Sequence, residues 1–318
     1  MTLSATGVVP FISIILCTRN RADLFDKSLA SVLAQDFPRS AYEIVVVDNG
    51  SSDHTRDVAQ RYAADANIRY VLEDRVGLCI ARNTGWRIAS APYIALFDDD
   101  AVARPGWLAA IANTFDRSAG DVGVIGGRVD PIWLAPRPIW LANDIAGALT
   151  IVDWGPDEKE ICDLRREWLV GANMAAPKNV IAEVGGFHPW LDRVGDNLLS
   201  SGDVHLEMEI VRRGYRCLYV PAMAIEHLVP PARLTQPWFT KRFYWQGISD
   251  AVMEIIGSTP SRRRRLKLAA RRLARLGASP EKWRALSFPT TDAARFRSKC
   301  LALIDVRYAA GILGAAGR

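Results

Sequence analysis

Apolar residues in the first two thirds of the chain come in short, nearly continuous runs, separated by stretches with helical spacing. Phe11 to Cys17 (FISIILC), Ile44 to Val47 and Tyr93 to Phe97 leave no polar face, and so predict central strands covered on both sides. Between them, Leu24, Leu29, Val32 and Leu33 recur at helical spacing from about Asp23. Ile68 to Leu72 reads as a third strand, and Gly77 opens a helix running to about Ala89. Strands alternating with helices at this spacing predict βαβ units and an α/β fold with a mostly parallel, doubly wound sheet. Further on, residues 122–130 read as a strand and Trp133 to about Arg166 as an irregular excursion. Trp168 to Ala176 reads as a strand entering a turn, followed by a helix near Lys178 to Val184. A helix from Gly202 to Arg213 is stopped by Gly214. Short strands are expected at Cys217 to Val220 and Met223 to Ile225, the latter delivering Glu226 and His227.

The last part changes character. Trp238 to Ile256 mixes aromatic and basic residues, and Ala293 to Ile304 reads as a docking helix. Arg262 to Leu276 (RRRRLKLAARRLARL) sets apolar residues at helical spacing among eight basic ones. Two readings of that helix stand: a solvated basic face on a docked helix, or an interfacial helix on an anionic membrane surface through residues 262–275. Nucleic acid is not expected there, because the basic residues sit on one amphipathic helix without a recognised reading motif.

Charge reinforces the division. The overall net charge is +5, yet residues 1–230 hold 22 Lys/Arg against 30 Asp/Glu, and residues 231–318 hold 18 against 5. We therefore expect a body over 1–230 and a basic, mainly helical extension over 231–318, with an anionic partner for the extension. Five cysteines without CxxC spacing favour free thiols in a reducing cytoplasm. No apolar run is long enough to span a membrane, and no secretory signal is read at the N-terminus. The expected location is cytoplasmic, with peripheral attachment to the inner membrane face left open by the basic helix.

Polar residues collect where the strands end. Thr18-Arg19-Asn20-Arg21 follows the first strand, Asp48 the second, and Asp98-Asp99-Asp100 the fourth. In doubly wound sheets ligands bind outside the carboxyl ends of the strands. Three adjacent carboxylates repel one another and need cations or donors. One reading is a hard divalent ion, Mg²⁺ or Mn²⁺, shared with a substrate diphosphate; the other is a solvated loop capping the next helix. The first strand is not followed by GxGxxG, which argues against a dinucleotide oxidoreductase.

Taken in order, SIILCTRNR, VVVDNGSSDHT, GLCIARNTG, FDDD, WLVGANMAAPKNVIAEVGGF, SGDVHLEMEIVRRGY and YVPAMAIEHLVP resemble glycosyltransferase family 2 over residues 11 to about 250. The resemblance implies a GT-A fold and inverting transfer of a sugar from a nucleotide diphosphate, a UDP-sugar above others, to an acceptor hydroxyl. The acceptor would be a glycan, often lipid-linked, in polysaccharide or glycoconjugate synthesis. It implies Asp100 as metal ligand for Mn²⁺ or Mg²⁺, with Asp98 at ribose or metal and Asp99 in the same donor motif. Thr18, Arg19, Asn20 and Asp48 would hold the nucleoside; Asp48 suits uracil or thymine and leaves guanine open. Arg82 stands as a fixed cation near diphosphate or sugar, or as a helix-surface salt bridge.

Asp203 aligns with the family's catalytic base, with Glu207 as fallback; the bland alternative is a first-turn acid favoured by the helix dipole. The family's Gly-Glu-Asp-x-Glu-Leu appears here as Ser201-Gly202-Asp203-Val204-His205-Leu206, which puts the neighbouring carboxylates in doubt. His227 is a second metal ligand or a structural histidine. Asn173 and Trp190 would border the acceptor or sugar pocket, and Arg242 and Trp245 would belong to a C-terminal cover. Two rivals stand beside this reading. A sugar nucleotidyltransferase would need a glycine-rich phosphate loop after the first strand. A noncatalytic scaffold would hold a membrane or nucleic acid through its basic tail.

Overall fold

The computed structural model describes residues 10–62, 64, 67–195, 197–287 and 290–314. The first nine residues, part of the stretch read for a secretory signal, lie outside them. The chain divides into two compact units. The first comprises residues up to Ile132, Ile151–Pro189 and Gly202–Leu228.

In chain order the first unit runs β1 (Ile12–Thr18), α1 (Ala22–Leu33), β2 (Tyr42–Asp48), α2 (Thr55–Arg61), β3 (Ile68–Leu72), α3 (Leu78–Ile88) and β4 (Tyr93–Asp98). It continues with β5 (Ala101–Ala103), α4 (Trp107–Arg117), β6 (Val122–Gly126), β7 (Val129–Trp133), β8 (Lys159–Glu160), β9 (Asn173–Pro177) and α5 (Lys178–Val184). It closes with α6 (Gly202–Arg212), β10 (Arg216–Tyr219) and β11 (Ile225–Val229). Eight strands form one sheet in the order β3-β2-β1-β4-β9-β6-β10-β8. β1 pairs in parallel with both β2 and β4, and β9 runs antiparallel between β4 and β6. Every residue of β1 and β2 is buried, as their unbroken apolar runs require.

Register aligns the strand ends. Thr18 pairs with Asp48, and Cys17 with Asp98, so the polar termini of β1, β2 and β4 share one edge. That edge is the working edge of the unit.

Four local expectations change. The strand expected over 122–130 is two strands in different sheets: β6 lies in the large sheet, and β7 joins β5 and β11 in a second, three-stranded one. The break falls beside Gly127, where a Cβ would overlap the Met223 carbonyl, so the chain turns where only glycine fits. Residues 168–172 are not strand, since β9 begins at Asn173. Glu226 and His227 lie inside β11 rather than after a strand, and β5, directly after the three aspartates, was too short to read from pattern.

The second unit comprises Trp133–Thr150, Trp190–Ser201 and Val229–Arg318. It therefore takes in two earlier stretches that the expected 1–230 and 231–318 partition placed in the body. Its helices are α7 (Gln236–Ser258), α8 (Arg262–Gly277), α9 (Pro280–Ser287) and α10 (Ala293–Gly314). Ala251, Ala269, Tyr308, Ala309 and Ile312 form a small core. Trp140 packs edge-on against Phe239 and Phe296, with ring centroids 5.2 and 4.8 Å away. Asp305 on α10 is held by Arg272 of α8 at 3.1 Å and Lys282 of α9 at 2.8 Å. No helix among the described residues is long and apolar enough to cross a membrane.

Candidate active site

The three carboxylates after β4 are partnered individually. Thr18, the last residue of β1, donates its hydroxyl to Asp99 Oδ2 at 2.8 Å. Arg21 reaches from the start of α1 to Asp99 Oδ1 at 2.9 Å and to Asp100 Oδ2 at 3.1 Å. Arg82 on α3 donates to Asp98 Oδ1 at 2.9 Å. Asp100 Oδ1 lies 3.1 Å from His227 Nε2. Strand pairing explains that last contact: Ala101 of β5 is the partner of His227 in β11, and the Leu228 N–H donates to the Asp100 carbonyl at 2.9 Å. The cation that the sequence pattern demanded is thus supplied in part by Arg21, which belongs to the polar segment read at the edge but to which no role was assigned. Its signal was a cation one turn beyond a strand end that faces three anions.

Burial makes these pairs matter. Asp99 and Asp100 are each 5% exposed. Burial pushes the Asp99 carboxyl up to about 6; Arg21 opposes that rise, and neighbouring Asp100 adds to it. Arg82 is buried, which would weaken its charge, but Asp98 and then Asp203 keep it firmly protonated. Its guanidinium also lies over the Phe187 ring, 5.5 Å from the centroid. Of the two readings of Arg82, the surface salt bridge fails: the residue is interior and joins two carboxylates electrostatically.

Asp203 sits in the first turn of α6 and accepts the Gly171 N–H at 2.9 Å. A Cβ at Gly171 would overlap the Arg82 guanidinium, so the 169–172 segment can pass between the two only as glycine at this point. One turn later Glu207 accepts the Leu169 N–H at 3.1 Å, and its other oxygen has no partner among the described residues. Burial, then the Asp203 charge, raises Glu207 well above the usual carboxylate range. A carboxyl that holds its proton in this way cannot accept one readily.

At the far end of the edge, Asp48 accepts from the Ser51 N–H at 2.8 Å and the Tyr70 hydroxyl at 2.7 Å and is 2% exposed. Asn20, at φ 52, accepts the Ser52 N–H at 2.7 Å, which ties the two loops after β1 and β2 together. Arg19 is exposed beside it. Asn173 departs from expectation. It is fully buried, accepts from Trp107 Nε1 at 2.8 Å and donates to the Met223 and Arg128 carbonyls at 2.7 and 3.1 Å. Its amide ties the start of β9 to α4 and to two loop carbonyls. Trp190, Arg242 and Trp245 belong to the second unit, where Trp190 is 56% exposed and Arg242 donates to Gln246 at 2.9 Å. His205, where the family motif has an acid, faces His188 with ring centroids 5.6 Å apart.

The fold is of the GT-A type. A solved mannosyltransferase from Pyrobaculum calidifontis, PcManGT in complex with GDP-Man and Mn²⁺, is similar with a TM-score of 0.57 at 21% identity, covering 97% of this chain and 76% of that one. The family model described as glycosyl transferase family 2 matches residues 13–161. A glucosyl-dolichyl phosphate glucuronosyltransferase of Haloferax volcanii is 25% identical over 249 residues, 77% of this chain and 78% of that protein. The glycosyltransferase AglE of the same organism is 29% identical over 212 residues, 66% of this chain and 64% of that protein. Residues 13–161 thus match glycosyltransferase family 2, and the chain is a glycosyltransferase.

Proposed function

We propose that the protein transfers a sugar, with inversion, from a nucleoside-diphosphate sugar to an acceptor hydroxyl, with Asp203 as general base. The observation that supports this most is the pairing of two carboxylate groups with one buried cation: Arg82 binds Asp98 at 2.9 Å and shares its charge with Asp203. On this reading a donor-side and an acceptor-side acid would share one fixed guanidinium. The nucleoside would lie along Thr18, Arg19, Asn20 and Asp48. We favour a UDP-sugar, since Asp48 can accept from a base N–H. The acceptor we favour is a glycan or lipid-linked hydroxyl, in keeping with the dolichyl phosphate substrate that one relative's name records.

A divalent ion, Mn²⁺ or Mg²⁺, fits the residues present. Among the described residues no three His, Cys, Asp or Glu side chains come together as a closed metal cage. Mg²⁺-type sites on nucleotides use one or two carboxylates and fill the rest with phosphate and water. The 3.1 Å between Asp100 Oδ1 and His227 Nε2 suits two neighbouring ligands of one octahedral ion. Asp100 and His227 would hold it, and the ion would supply Lewis-acid stabilisation of the departing diphosphate. Arg82 would add a fixed positive charge where that negative charge develops. Asp203 would take the acceptor proton as the hydroxyl oxygen bonds to the anomeric carbon and the diphosphate oxygen leaves.

A thermal-shift panel of UDP, GDP and dTDP, each with Mn²⁺ or with EDTA, tests the donor site. A ligand bound only by the folded state raises the melting temperature by mass action. We expect one nucleotide to stabilise only with metal, and the shift to vanish in Asp100→Ala. Absence of any shift with all three nucleotides would sink the reading.

A further inference from the structure

Within the second unit, α8 buries Ala269 and Leu276 and leaves another face open to solvent. On that open face Leu266 and Leu273 are 52% and 44% exposed, and Ala270 and Ala274 are exposed with them. At ~100° per residue these four positions fall in one arc, which Lys267, Arg271 and Arg275 extend on one side. Arg262 and Arg263 stand at its N-terminal end. Three other basic residues of α8 are engaged inside the unit: Arg264 by Glu254, Arg265 by the Pro260 carbonyl, and Arg272 by Asp250 and Asp305. Arg262, Arg263, Lys267, Arg271 and Arg275 form no ion pair among the described residues. The helix contains no acid at all. On α9, Trp283 is 52% exposed next to Arg284.

We propose that this face of α8 docks on the surface of an anionic lipid bilayer. The leucines would enter the boundary between headgroups and acyl chains, and the cations would lie among the lipid phosphates. The combination selects this partner. A helix that is merely solvated has no use for half-exposed leucines spaced two turns apart. A nucleic acid would satisfy the cations but offer the leucines nothing to bury against. Tryptophan beside arginine is the composition of a membrane-interface belt. The inference is independent of which sugar or acceptor the first unit uses.

Flotation of the full chain with phosphatidylcholine vesicles, with and without about one third phosphatidylglycerol, tests it. Binding is expected only to the anionic vesicles, weakening with salt. Lys267→Glu/Arg271→Glu should lower vesicle affinity by at least about fivefold per position. Leu266→Ser/Leu273→Ser, which keeps every charge, should lower it roughly tenfold. Both pairs are at exposed positions, and unchanged circular dichroism and melting would show that the fold is retained. A second leucine pair variant, Leu266→Ala/Leu273→Ala, preserves helix propensity and should show the same loss. Equal flotation with neutral vesicles overturns the proposal. So does undiminished anionic binding in both leucine variants, or binding to duplex DNA in place of vesicles.

Discussion

Arg82 and Asp203 meet at a single residue, Gly171: Asp203 accepts its N–H at 2.9 Å, and the Arg82 guanidinium fills the space a side chain would need. Electrostatics alone would bring these two opposite charges into direct contact. The intervening backbone leaves Asp203 Oδ2 occupied by a neutral N–H instead, and a carboxylate bonded to a neutral donor can still take a proton.

Gly171→Ala should therefore be costly out of proportion to one methyl group. The added carbon must displace a buried guanidinium that is held by Asp98 at 2.9 Å. A loss of about 1–3 kcal/mol is expected from overpacking, along with a fall in transferase rate. Chemical denaturation beside a turnover assay checks it; a variant with native stability and rate would contradict the packing described.

Asp203→Asn separates chemistry from structure. The Asn side-chain oxygen can still accept the Gly171 N–H, so melting temperature and nucleotide binding should stay near those of the wild type. Sugar transfer should fall by about 10²–10⁴-fold, the range of a lost general base. Calorimetry with nucleotide and a transfer assay on the same sample read the two effects apart. Loss of both together would mean that Asp203 holds the fold.

Glu207 carries the opposite signature, a carboxyl raised well above its ordinary value by burial and then by Asp203. A raised folded value means that the native state holds the proton more tightly than the unfolded chain. The stability it contributes is present below the unfolded value of about 4.5 and is lost as pH rises through the folded one. Glu207→Gln removes that loss. Unfolding in urea at pH 5 and at pH 8 should show the variant gaining on the wild type as pH rises; parallel pH curves would refute the assignment.

Glu73 reverses the sign. Arg75 donates to it at 2.9 and 3.0 Å and Thr84 at 2.5 Å, and these bonds hold the carboxyl down to about 2. Its contribution is present above about pH 4.5 and is lost as pH falls toward 2. Glu73→Gln should flatten the acid limb of the stability curve over that window and leave the alkaline limb unchanged, as acid titrations followed by circular dichroism can measure.

The parts of this molecule legible in sequence are those set by local pattern. FISIILC and YIALF could only be covered strands, and the polar residues that follow them had to share an edge once the strands were parallel. What sequence could not supply was partnership between distant segments. Arg21 is three or four residues past a strand in either reading, but its hold on Asp99 and Asp100 depends on how α1 leaves β1. Asn173 lies in a segment that resembles a pocket wall, but its amide joins Trp107, Arg128 and Met223, residues far apart in sequence. The 122–130 run read as one strand because apolar pattern does not register a change of sheet; Gly127 marks the change, and its meaning appears only beside Met223.

The second unit draws on the middle of the polypeptide as well as its end, and this bears on how the protein is made. Trp140 leaves the ribosome long before Phe239 and Phe296, the two rings it packs between. At ordinary translation speeds the wait is roughly 5–30 seconds. During that interval residues 133–150 and 190–201 exist as nascent chain without a completed surface to fold onto. Synthesis halted after Leu228 would release a first unit trailing two orphaned, tryptophan-bearing segments, the kind of exposed apolar chain that chaperones and proteases engage.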